Sequence, residues 1–212
     1  MHFTKSTISM KSASATFAKS TARQQRRVRV AAHVLHVAFI QSDEINALWT
    51  ENRHDRDYVK CMTRPFYDLA HGLSTSTGLI TRTAFEKCQE GDGYTPTKDH
   101  CYRPQTVAQF MLDNREMFQD FAVFLEWFTM LTLTILVDAK ENNKLSLNGI
   151  DNRGSEYIIK VTTDQQYVKA GLDLFAYSDD RSWKKRTITP ASNLIEVPDI
   201  LLEWERSKSP KS

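Results

Sequence analysis

The run Leu131 to Val137 constrains this chain most, because Thr132, Thr134, Ile135 and Val137 are β-branched and follow directly on aromatic-rich sequence with helical spacing. Such side chains lose rotamers against a preceding helical turn and fit a pleated surface, so the run reads as a buried strand and not as the tail of a very long helix. A buried strand needs partners. A chain otherwise helical over its first two thirds is therefore committed to an α+β fold, with a small mixed sheet drawn from its middle and C-terminal strands. The wider stretch from Met117 to Val137 is interrupted by Gln119, Asp120, Glu126 and several threonines, too polar for a lipid-facing span of roughly 20 residues, so no membrane partner is expected.

Upstream, Thr21 to Thr50 has apolar residues at helical spacing (Val28, Ala31, Ala32, Leu35, Phe39) and no Gly or Pro. A break is expected near Gln41, because Ser42 followed by Asp43 and Glu44 makes a good helix start. Tyr58 to Leu73 reads as a helix broken by Pro65 and closed by Gly72, and Ser74 to Gly78 as a loop. Tyr94 to His100 reads as an extended segment that Pro96 confines to a sheet edge. Gln105 to Asn114 and Glu116 to Phe128 read as helices whose stripes (Val107, Phe110, Met111; Phe118, Phe121, Phe124, Leu125, Phe128) are core. Asp138 caps a short helix ended by Asn148-Gly149. Tyr157 to Thr162, Leu172 to Tyr177 and Leu194 to Val197 read as strands, and Ile200 to Arg206 as a terminal helix. The organisation expected is a basic tail, 1–20, before a single α+β domain, 21–212, made of a helical part (21–90), a central unit (94–148) and a β-rich part (150–206).

Charge is unevenly spread. Residues 1–42 hold seven cations (Lys5, Lys11, Lys19, Arg23, Arg26, Arg27 and Arg29) and no acid, so a net +2 conceals a basic head on an acidic remainder. Lys and Arg that replace counterions along a phosphate backbone gain by releasing them, which makes nucleic acid, DNA first, the simplest partner. Arg181, Lys184, Lys185 and Arg186 around Trp183 combine phosphate-binding charge with a stacking surface, or form a solvated hairpin turn. Residues 1–20 fit a tail, a binding arm or a transit peptide equally well by composition. Three cysteines without a Cys-x-x-Cys pair point to a reducing, cytoplasmic setting and away from a disulfide framework.

The central pieces run strand, helical excursion, strand, short helix. Asp99-His100 ends the first strand and Glu141-Asn142-Asn143 lies on the last helix, and with these residues the segment 94–148 resembles the HNH, or His-Me finger, endonucleases, in particular small phage-type members. The resemblance implies a ββα-metal unit with one Mg²⁺ (or Mn²⁺) held by Asp99 and Asn142, His100 as general base, Arg103 on the phosphate, and phosphodiester hydrolysis in DNA as the activity. The ion takes oxygen ligands, and an imidazole neutral near pH 7 can take a proton from water. Adjacent strand residues point to opposite faces, so Asp99 and His100 share a site only where the strand bends. A zinc site from Cys88, His100 and Cys101 lacks a fourth ligand. The other reading is a non-catalytic nucleic-acid-binding or assembly protein, tethered by its basic head and able to form a homo-oligomer. Phosphate-loop, dinucleotide, zincin and serine-hydrolase motifs are absent from the sequence.

Overall fold

The computed structural model describes residues 21–91, 93–147, 150–151, 158–159, 167, 170–191 and 197–208. Helix α1 (Ala22–Leu35) starts where Thr21 Oγ1 accepts the Gln24 N–H and passes into one π-helical turn, His36–Ile40. Ser42 Oγ then accepts the Ile45 N–H and opens α2 (Asp43–Asn52), so the expected break falls where a capping side chain stands. Helix α3 (Arg56–Gly72), capped by Asp55, continues through Pro65 instead of breaking there. The missing hydrogen bond falls opposite Cys61, which is exposed, so water can satisfy the freed carbonyl.

The segment expected as a loop, Ser74 to Gly78, is mostly strand: β1 spans Thr75–Thr81. Its hydroxyls serve the sheet, Thr77 Oγ1 donating to the Thr134 carbonyl at 3.0 Å, and Gly78 at φ +80° carries the register irregularity between Ser76 and Ile80. There follow α4 (Arg82–Glu90), β2 (Thr97–His100), α5 (Pro104–Asp113), a 3₁₀ turn (Arg115–Phe118), α6 (Phe121–Leu131), β3 (Leu133–Val137) and α7 (Ala139–Leu147). A small antiparallel pair, β4 (Ile150–Asp151) with β5 (Ile158–Ile159), precedes β6 (Leu174–Tyr177), a 3₁₀ turn (Trp183–Lys185), β7 (Ile188–Pro190) and α8 (Asp199–Lys208). The strand expected at Leu194 to Val197 and most of that at Tyr157 to Thr162 lie outside the described residues, as do residues 1–20.

The fold is mixed α+β. Its five-stranded sheet has the order β2-β3-β1-β6-β7, with β1 and β3 parallel and the other pairs antiparallel, so β2 is an edge strand as Pro96 required. All five residues of β3 are buried. Leu133, Ile135 and Val137 enter a large core with α1, α3, α5, α6 and Leu201 of α8, whereas Leu136 enters a smaller one with Ile80, Phe175, Ala84, Phe85 and Cys88. Among the described residues no helix is long and apolar enough to cross a membrane.

One buried carboxylate ties three helices together. Asp113 at the end of α5 accepts the indole N–H of Trp49 (2.9 Å) from α2 and that of Trp204 (2.9 Å) from α8, and pairs with Lys208 (3.1 Å). Replacing it by Ala strands two indole donors, one of them on a tryptophan only 3% exposed. Asp113→Ala is expected to cost about 2–4 kcal/mol by denaturant unfolding, with Asp113→Asn between it and the parent.

Candidate functional site

The strand–strand–helix order expected for 94–148 is present in space. β2 pairs antiparallel with β3, and α7, which begins directly after β3, packs against β2. A reciprocal cap starts α7: Asp138 Oδ1 accepts the Lys140 N–H (3.0 Å) and Glu141 Oε2 accepts the Asp138 N–H (3.0 Å). Asn142 is half-buried in the second turn of α7, and Leu145 from the same helix joins the large core.

Pairing is regular along the Asp99-His100 dipeptide, Asp99 opposite Ile135 and His100 opposite Thr134. No bend intervenes, so the two side chains leave on opposite faces. Asp99 takes Ile135's face, the α7 side, where its carboxylate accepts the Tyr167 hydroxyl. Burial raises its pKa against the pull of that hydrogen bond and of the Arg103 charge. Arg103, expected on a phosphate, has its Nη2 committed to the Leu145 carbonyl at 3.1 Å. A divalent ion needs an ionised carboxylate with free lone pairs; Asp99 is neither open nor biased toward charge, and His100 is across the sheet from it. The residues as arranged do not fit Mg²⁺ or Mn²⁺ between them.

His100 lies on the other face, beside Tyr67 and His71 of α3, with ring centroids at 5.9 and 5.7 Å. Its Nδ1 stands 2.8 Å from the Leu131 carbonyl, which can only accept, so Nδ1 carries the proton and Nε2 the lone pair. Nε2 is buried and has no hydrogen-bond partner among the described residues. The residue is 7% exposed, and burial pushes its pKa down to about 4, with His71 and Lys98 adding to the same direction. The ring is therefore a neutral base in the correct tautomer, under cover.

The expected cations fall into two groups. Arg23, Arg26 and Arg27 are exposed on α1 and line a groove of about 860 Å³ between α1 and α3, whose floor is apolar (Val30, Ala31, Val34, Leu69, Leu73). Arg29 points elsewhere, over the ring of Phe121 at 5.9 Å. Around Trp183, Arg181, Lys184 and Lys185 are exposed, while Arg186 stacks on Trp183 (3.9 Å) and donates Nε–H to the Asp180 carbonyl (2.6 Å), so it also holds the β6–β7 turn. The zinc grouping does not form: Cys88 sits in the small core and Cys101 in the large one, and no group of three or more His, Cys, Asp or Glu able to hold a metal occurs among the described residues.

Three side-chain hydrogen bonds at the carboxyl ends of β1 and β3 carry no signal in the sequence. Asp138 accepts from Lys87 (2.6 Å) and Tyr94 (3.1 Å), which holds its carboxyl below the usual range, and Glu141 accepts from Thr81 (2.5 Å). Every partner there is satisfied internally, so the cluster locks α4 and α7 to the sheet ends. No family model, curated protein or solved structure matches the chain.

The depressed pKa of His100 has a consequence for stability. Between pH 6.5 and about 4 the unfolded chain binds a proton there that the folded chain does not, so folding weakens as pH falls through that window, by about 3 kcal/mol in all. Asp99, raised from 3.8, works in the opposite direction in the acid range above 3.8, where the folded chain holds a proton that the unfolded chain has lost. Unfolding curves measured from pH 7 to 4 should fall more steeply for the parent than for His100→Gln; parallel curves contradict the buried neutral ring.

Proposed function

We propose that the protein binds nucleic acid and hydrolyses its phosphodiester bonds, with His100 as the general base of the β2–β3–α7 unit. The observation that carries this reading is the fixed tautomer: a main-chain carbonyl holds the Nδ1 proton, and Nε2, without a partner among the described residues, keeps its lone pair under cover at the end of the first strand of a strand–strand–helix unit. In the step, the oxygen of a water bonds to phosphorus, its proton passes to Nε2, and the leaving ester oxygen departs and is protonated from solvent. Nε2 must first be uncovered, which requires Tyr67 and His71 to move off the ring. The arginines of α1 supply the grip on the polyanion. No step is routed through an ion, because Asp99 is engaged by Tyr167 and faces away from His100, and the assay reads metal dependence directly.

A second reading, binding without cleavage, is favoured by one specific observation: His100 is covered by α3 while Asp99 is engaged by Tyr167. One assay separates the two. On supercoiled plasmid with Mg²⁺, with Mn²⁺ and with chelator, hydrolysis predicts nicking that His100→Ala slows by about 10²–10⁴-fold. Plasmid left intact in every condition, or cut equally by the variant, leaves binding alone.

Binding itself has a separate signature. Replacing Arg23, Arg26 and Arg27 together by Gln should weaken duplex binding and flatten the dependence of log K on log salt, by about 0.9 for each phosphate that the variant no longer neutralises. An unchanged slope removes α1 from the interface.

A further inference from the structure

We infer that the surface between the C-terminal end of α3 and the end of β2 is a phosphate-binding subsite, formed by His71, Ser74 and Lys98 around the ring of His100. It deepens the hydrolytic reading by naming where the phosphate sits, yet it concerns binding and can be tested without cleavage. The placement follows from sheet geometry. Register sets Ser76, Thr134 and His100 in one row across β1, β3 and β2, on one face, with Lys98 two residues before His100 on the same side.

The upper part of that face is apolar, with Ile80, Leu136 and Phe175 under α4, but this end presents hydroxyls, imidazoles and an ammonium group. Lys98 Nζ donates to Ser74 Oγ at 2.9 Å, forms no ion pair with a carboxylate among the described residues, and keeps two further N–H donors. His71 is exposed, with its ring 5.7 Å from that of His100. The nearby acid on α3, Asp68, is neutralised by Arg64 at 2.8 Å, whose guanidinium lies over Tyr67. Next to these donors lies the ring of His100, 7% exposed, whose Nε2 lone pair has no partner among the described residues. A lone pair accepts, so it is a water ordered by a bound phosphate, not the phosphate itself, that can fill it. The donors converging here (ammonium, imidazole N–H, hydroxyl) suit a tetrahedral oxyanion, and a phosphate seated on them brings an attacking water within reach of Nε2.

The test follows the imidazole resonances of the full chain during titration with inorganic phosphate at constant ionic strength, then with a short single-stranded oligonucleotide. The resonances of His71 and His100 should move together along one saturable curve with each probe, and with inorganic phosphate that of His33, on the exposed side of α1, stays still. Lys98→Gln should weaken the midpoint about tenfold and Lys98→Arg should restore it. Saturation by the oligonucleotide but not by free phosphate assigns the subsite to the nucleic-acid backbone, and saturation by both assigns it to the phosphate group itself. Absence of any saturable shift with either probe, or an unchanged midpoint in a Lys98→Gln protein whose melting temperature matches the parent, overturns the subsite. Saturable binding with plasmid left intact retains it and removes only hydrolysis, whereas nicking without such binding does the reverse.

Discussion

The constraint on which the rest depends is the burial of β3 on both faces. A strand made of Leu133, Thr134, Ile135, Leu136 and Val137 has nothing to offer water, so the chain must build a core on each side of it and a neighbour along each edge. α6 arrives from one end carrying Phe124, Trp127 and Phe128 for the larger core, and α4 covers Leu136 from the other face. The edges are closed by β1, in parallel, and by β2, antiparallel. Parity then does the assigning. With Val137 opposite Thr97, every odd position of β2 shares the face of the large core and every even position the face of the small one, and a slip by one residue would exchange them. Asp99 and His100 are neighbours in sequence and occupants of different faces for this reason alone.

The same parity gives His100 its chemical character. Its ring lies where β3 gives way to α6, so the Leu131 carbonyl at the end of that helix, one of the acceptors a helix terminus leaves over, takes the Nδ1 proton. Burial supplies the remainder. An imidazole in water shares its time between charged and neutral forms near neutrality, whereas this one is neutral throughout the ordinary range. Asp99 shows the complementary case, a carboxyl whose burial opposes charge even with a guanidinium nearby, so the acid and the base of the dipeptide are both biased toward their uncharged forms by one physical cause.

What was legible in the sequence was whatever local chemistry decides. Ser42 and Asp138 cap the helices they were expected to cap, the β-branched run is a strand, and Pro96 precedes an edge strand. What was not legible depends on partners distant in sequence. Ser74-Thr75-Ser76-Thr77-Gly78 reads as a loop by composition and becomes most of a central strand because the Thr77 hydroxyl finds a carbonyl of β3 and Ser76 finds Tyr177 of β6. Arg186 reads as a phosphate contact, and its stack on Trp183, which also braces the turn, is set by a fold the sequence does not show. His71 carries no sequence pattern, and acquires meaning only when α3 is laid across the end of β2. For the candidate site, the strand–strand–helix order was readable, but the face on which each functional group emerges is a property of register, which no short motif encodes.

Helix α3 links the two regions that bear on function. One side of it, through Leu69, Gly72 and Leu73, forms a wall of the groove beneath the arginines of α1; another, through Tyr67 and His71, covers the ring of His100. These residues interleave over barely two turns at the end of α3 and its cap, Leu73. On the proposed reading, a polyanion drawn into the groove bears on the same helix whose Tyr67 and His71 cover the ring of His100, and Asp68, paired with Arg64, is itself part of the groove's lining. Under that proposal grip and uncovering are joined through one helix: stiffening α3 against the sheet would hold the base covered however tightly the arginines bind, and loosening it would expose the base without any gain in affinity.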